Sequence, residues 1–130
     1  MHGLIPPSAY HDPQEFAAEQ RWLYGSQWIF VGMLFELQGS HAGVKVGGLD
    51  LLLQRDASNS PRAFLNTCAH RHAQLCTPGR HAGAVRCPYH GWVYDREGVP
   101  VGIPGKAAFP EVVAEPARNR LVEFDCDHAG

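Results

Sequence analysis

Cys87-Pro88-Tyr89-His90-Gly91-Trp92-Val93-Tyr94-Asp95 is the stretch that decides the fold, read together with Cys68-Ala69-His70-Arg71-His72, with sixteen residues between His70 and Cys87. Each stretch offers one thiolate and one imidazole within a single turn, so two such loop tips side by side make a pocket of two cysteines and two histidines. Thiolates are soft donors that suit zinc and iron-sulfur clusters, and neutral imidazole suits either, so ligand type alone does not choose between them. Spacing is more telling. Zinc fingers pair cysteine with cysteine and histidine with histidine, whereas each loop here mixes the two kinds.

Working outward, 130 residues fit one domain, 1–130, with a modest core. Eleven basic and thirteen acidic residues leave a net charge of -2 with no long run of either sign, which argues against nucleic acid or an anionic membrane as partner. No stretch approaches the roughly 20 apolar residues that cross a bilayer. The start, Met1-His2-Gly3-Leu4-Ile5-Pro6-Pro7, lacks the pattern of a secretory signal, so a cytoplasmic location is expected. In that setting the four cysteines, at 68, 76, 87 and 126, point to metal or redox use rather than to disulfides.

Ten prolines and fourteen glycines favour turns and short strands. Asp12-Pro13-Gln14-Glu15 carries an N-cap acid, a proline at the first helical position and a glutamate three residues after the cap, so a helical brace over 13–24 is expected, with Gly25 as its stop. Beyond it, short apolar runs between turn signals predict strands at Trp28 to Leu37, Val44 to Val46, Leu49 to Gln54, Arg62 to Asn66, Ala84 to Cys87 and Trp92 to Tyr94. Gly47-Gly48 suits a two-residue hairpin loop. Pro100 to Arg120 reads as an irregular connection, and Leu121 to Asp125 as a closing strand.

A loop holding one ligand of each kind is what a Rieske centre requires, since one of its irons is held by two cysteines and the other by two histidines. Cys68-Ala69-His70-Arg71 and Cys87-Pro88-Tyr89-His90-Gly91-Trp92-Val93-Tyr94-Asp95 resemble the Rieske domain of aromatic ring-hydroxylating oxygenase α subunits. The likeness extends to Tyr10, to Glu19 through Gly32, and to Phe64-Leu65-Asn66. It implies an all-β fold of stacked antiparallel sheets with a short N-terminal helix, and a 2Fe-2S cluster held by Cys68, His70, Cys87 and His90 in loops 67–76 and 87–92. It also places Arg71, Tyr89 and Trp92 beside the cluster, as groups that pack and tune it. Respiratory Rieske proteins carry an extra cysteine in each loop and a serine after the last histidine; Tyr89 and Trp92 stand there instead. A potential near the low end of the Rieske range, around -150 mV, is therefore expected.

His72 departs from the family, which places glycine there. Cys76 lacks a counterpart in the second loop and reads as a buried free thiol, while Cys126 and the histidines at 2, 11, 41, 81 and 128 match no motif. The oxygenases activate dioxygen at a separate iron held by two histidines and a carboxylate, and no such set follows Cys87. Two readings stand: the Rieske part of a non-haem iron oxygenase system, or a free-standing Rieske ferredoxin. The implied partners are an upstream ferredoxin or flavin reductase and a downstream non-haem iron oxygenase domain or subunit.

Overall fold

The structure, a computed structural model, describes residues 5–128; Met1 to Leu4, which the signal-peptide reading drew on, lie outside it. Its frame is two antiparallel sheets. The first contains β1 (Ser40–Val46), β2 (Leu49–Arg55), β3 (Pro61–Leu65), β4 (Gly79–Ala82) and β8 (Glu123–Phe124), in the order β4-β1-β2-β3-β8. The second is β5 (Val85–Arg86), β6 (Val93–Tyr94) and β7 (Pro100–Gly102), in chain order.

Strand β2 shows why the sheets stack. Its run Leu51-Leu52-Leu53-Gln54 is buried without interruption, because the central strand is covered on both faces. Leu51 and Leu53 pack with Leu37 and Ala63 on one side. On the other, Leu52 and Phe64 join Leu75, Val85, Trp92, Tyr94 and the two motif cysteines, Cys68 and Cys87. The principal core therefore runs up to the base of both motif loops. Pairing of Val46 with Leu49 closes the β1–β2 hairpin through Gly47 and Gly48, whose φ values of 57° and 80° suit a turn glycine accepts without strain.

The structure departs from four expectations. Trp28 to Leu37 is no strand: Gln27 to Met33 has no regular structure and Leu34–Leu37 forms a 3-10 turn. No sheet edge pairs with that run, Trp28 and Phe30 are 75% and 76% exposed, and the Glu36 carboxylate accepts from the Met33 amide and turns the chain. The helix α1 (Pro13–Ser26) runs through Gly25 to Ser26, its cap formed by Asp12 accepting from the Gln14 amide. It buries none of its own residues and meets the β-domain at its last turn, where Tyr24 lies against Gly47. The Pro100 to Arg120 connection contains β7 and a short helix, α2 (Pro110–Ala114), which buries Val112 in the core. The closing strand forms, but only across Glu123 and Phe124, against β3.

Candidate metal centre

Both motif loops are built on one hydrogen-bond frame. In the first, the Cys68 amide donates to the Ala73 carbonyl at 2.8 Å and the His72 amide to the Cys68 carbonyl at 2.9 Å. In the second, the Cys87 amide donates to the Trp92 carbonyl at 2.8 Å and the Gly91 amide to the Cys87 carbonyl at 3.0 Å. The frames superimpose Cys68 on Cys87 and His72 on Gly91, and both latter residues are left-handed, with φ of 55° and 73°. His72 thus takes the conformation that glycine supplies in the second loop, and the departure from the family pattern leaves the loop geometry intact.

The first loop is closed by a side chain. Asn66, 1% exposed, donates to the Cys76 carbonyl at 2.7 Å and accepts from the Cys76 amide at 3.1 Å, standing in for a strand partner. Its second N–H reaches the Asp50 carboxylate at 3.4 Å, and the other Asp50 oxygen accepts from Gln74 at 2.8 Å. Both ends of the loop are thereby tied to β2. Cys76 is buried and free, as expected, and burial foremost pushes its thiol up to about 11.

The fold sorts the donors by kind. His70 and His90 bring their rings to 4.7 Å between centroids, edge to face. Cys68 and Cys87 are buried side by side, and burial followed by the neighbouring Cys87 sulfur pushes the Cys68 thiol up, opposed by the Tyr94 hydroxyl. Among the described residues no three of His, Cys, Asp or Glu converge on a point that one ion could occupy. A lone tetrahedral zinc needs four donors around one point, whereas a two-iron core takes two at each end. The donor set fits the second arrangement. The buried Cys68 thiol, which resists ionising, also calls for the countercharge that iron supplies.

The surroundings differ at the two ends. At the thiol end, the Ala69 amide donates to the Tyr94 hydroxyl oxygen at 3.0 Å, which leaves the hydroxyl hydrogen for the Cys68 sulfur 3.1 Å away. Burial first, and then the cysteine, hold the Tyr94 hydroxyl well above its ordinary range, so it stays a donor. At the imidazole end, Trp92 is buried and stacks on His70 with centroids 4.9 Å apart and planes 4° from parallel, while Phe109 meets the same ring edge-on at 5.3 Å. Burial, then His90 and Arg71, hold His70 below the usual imidazole range. Tyr89 packs on His90 at 3.9 Å and is 60% exposed, and Arg71 is exposed beside His70. Tyr94, Asn66 and Phe109 had not been singled out from the sequence as neighbours of the site. Tyr94 and Asn66 carry a signal only as parts of the stretches that resemble the family, and Phe109 carries none.

This fold and donor set are those of a Rieske-type domain. The chain belongs to the Rieske [2Fe-2S] domain family, whose profile matches residues 27–117, and the cofactor of that family is the Rieske 2Fe-2S cluster. Among its relatives, the oxygenase subunit of glycine betaine monooxygenase from Chromohalobacter salexigens is 36% identical over 97 residues, 72% of this chain and 22% of that one. Biphenyl dioxygenase subunit alpha from Paraburkholderia xenovorans is 30% identical over 105 residues, 78% of this chain and 23% of its own. The structure of naphthalene 1,2-dioxygenase from Rhodococcus sp. bound to indole matches with a TM-score of 0.76 at 30% identity, over 90% of this chain and 28% of that one. The relatives thus include α subunits of ring-hydroxylating oxygenases, as the resemblance implied. The chain spans about a quarter of the length of the curated relatives it matches. Among the described residues no helix is long and apolar enough to cross a membrane.

Proposed function

We propose that Cys68 and Cys87 hold one iron of the cluster and His70 and His90 the other, and that the chain relays single electrons as the Rieske part of a non-haem iron oxygenase system. The observation that carries this reading is the sorting of donors, thiol beside thiol and imidazole beside imidazole, out of two loops that each contain both. When bound, such a cluster supplies one-electron chemistry centred on its histidine-bound iron. The chain's residues give that chemistry a direction. The thiol end is sealed in the core, and the imidazole end opens to solvent at His90. Tyr94 donates to the Cys68 sulfur, and Trp92 with Phe109 fixes the His70 ring.

The relatives' names span a betaine and aromatic hydrocarbons, so the part shared with this chain is one that serves unlike substrates. An electron relay fits that role. Substrate choice and dioxygen activation then belong to a separate iron-bearing partner domain or subunit, and a ferredoxin or flavin reductase supplies the electrons. Affinity capture from the source cell, with iron analysis of what comes with the chain, tests the placement. A partner bearing a mononuclear iron supports it. A flavin reductase alone favours the free-standing ferredoxin. Protein-film voltammetry should place the potential near -150 mV, and a clearly positive value would contradict the tuning argument.

A further inference from the structure

Charge is segregated along this chain. Three of the eleven lysines and arginines, Arg71, Arg80 and Arg86, fall between residues 66 and 94 with no aspartate or glutamate among them; the other eight share the rest of the chain with all thirteen acids. The motif region is therefore positive on an otherwise negative molecule. Arg80 is tied to Ser40 and Gln38 at the edge of the first sheet. The remaining cations gather at the imidazole end.

Arg71 directly follows His70. Arg86 precedes Cys87 and donates to the Gly91 carbonyl at 3.3 Å, which sets its guanidinium against the second loop. Lys106 lies in the turn 104–109, and both ends of that turn touch the site: Pro104 packs beside Gly91, and Phe109 sits on His70. All three cations are exposed, and among the described residues none enters an ion pair. Glu111, also exposed, is the nearest acid along the chain beyond Phe109. The exposed Tyr89 and His90 lie in the second loop, between Arg86 and Gly91.

We propose that Arg71, Arg86 and Lys106 form a docking collar for an acidic electron-carrier protein, one that presents carboxylates around its own redox centre and meets the chain over His90. The proposal rests on the electron-relay reading above. Unpaired cations around an exposed redox edge steer a partner of opposite charge and orient it without a large apolar contact. Electron-transfer encounters are of this small, salt-sensitive kind. An extended polyanion such as nucleic acid fits less well, since the negative remainder of the chain would repel it.

The test uses the whole cluster-loaded chain, with an acidic plant-type 2Fe-2S ferredoxin as probe, whose potential lies well below that of a Rieske centre and makes the transfer downhill. The double variant Arg86→Glu with Lys106→Glu is compared with a control of equal charge change away from the collar, Arg21→Glu with Arg96→Glu. At low ionic strength the collar variant should be reduced roughly tenfold more slowly than the parent, with the control within about twofold, and the difference should vanish near 1 M salt. Affinity for the oxidised ferredoxin, measured by calorimetry, should weaken in step. Equal rates in all three proteins, with the rhombic Rieske signal present in each, would overturn the collar alone. Absence of that signal in the parent would overturn the relay reading and the collar with it.

Discussion

The two motif loops share one backbone frame and are held by different means. The second loop is fixed locally. Pro88 restricts its start, Gly91 supplies the left-handed turn, and Trp92 drops straight into the core. The first loop has His72 in that left-handed position and Ala73 where the second has Trp92; Leu75 anchors its far end, and the rest of its shape is imposed from outside by Asn66 and Asp50 at its base and by Tyr94 from the opposite sheet. The pocket therefore joins a self-made half to an imposed half.

That contrast is open to breakage. Asn66→Ala should do the most damage, because it leaves the buried Cys76 amide and carbonyl without partners; a loss of about 3 kcal/mol is expected in urea unfolding, with cluster release from the loaded chain accelerated. A change below 1 kcal/mol would mean that the first loop holds itself. Next come the left-handed positions, where opposite signs are expected. Gly91→Ala should cost about 1–2 kcal/mol, since the added Cβ takes a disfavoured φ and lies 3.3 Å from Pro104 Cγ. His72→Gly should instead stabilise by roughly 0.5 kcal/mol, as it removes the same backbone penalty. Thermal melts of the two variants check the pair.

Tyr94→Phe sharpens the comparison at the thiol end. Loss of a donor to a cysteine sulfur disfavours the more electron-rich reduced state, so the potential should fall by on the order of 50 mV, the equivalent of about 1 kcal/mol in a one-electron couple. The spectrum should keep its Rieske form. The smallest effect belongs to β4, which joins the loops. His41 on β1 pairs with His81 on β4, its ring stacked at 5.4 Å and bonded to the Gly83 carbonyl. Burial foremost holds His41 below the usual imidazole pKa. The unfolded chain then binds more protons than the native one, so stability is full above about pH 6.5 and declines as pH falls below it. Urea midpoints at pH 7 and pH 5 should show that decline, and His41→Gln should reduce it.

What was legible in the sequence follows the same division. The second loop, the Gly47-Gly48 hairpin and the leucine run of β2 could be read because their causes are local: a turn residue, a ligand spacing, a buried apolar string. Strand β4, Gly79-Arg80-His81-Ala82, has nothing of a strand in its composition and forms because β1 offers it an edge. Trp28 to Leu37 erred the other way, with apolar residues suited to a strand and no edge to join. Helix α2 did carry a signal, Pro110 at its first position and Glu111 in its first turn, hidden among the prolines of that stretch. Asn66 and Asp50 could not be paired by inspection, since their contact depends on the register between β2 and β3 and on no spacing within a motif.

The most direct test is anaerobic reconstitution of the whole chain with iron and sulfide in the presence of competing zinc, followed by metal analysis and electron paramagnetic resonance after one-electron reduction. The account predicts a red-brown protein with two irons and two sulfides per chain, a rhombic signal, and loss of that signal in both His70→Cys and His90→Cys. A colourless protein holding a single zinc, or a rhombic signal unchanged by either substitution, would contradict it.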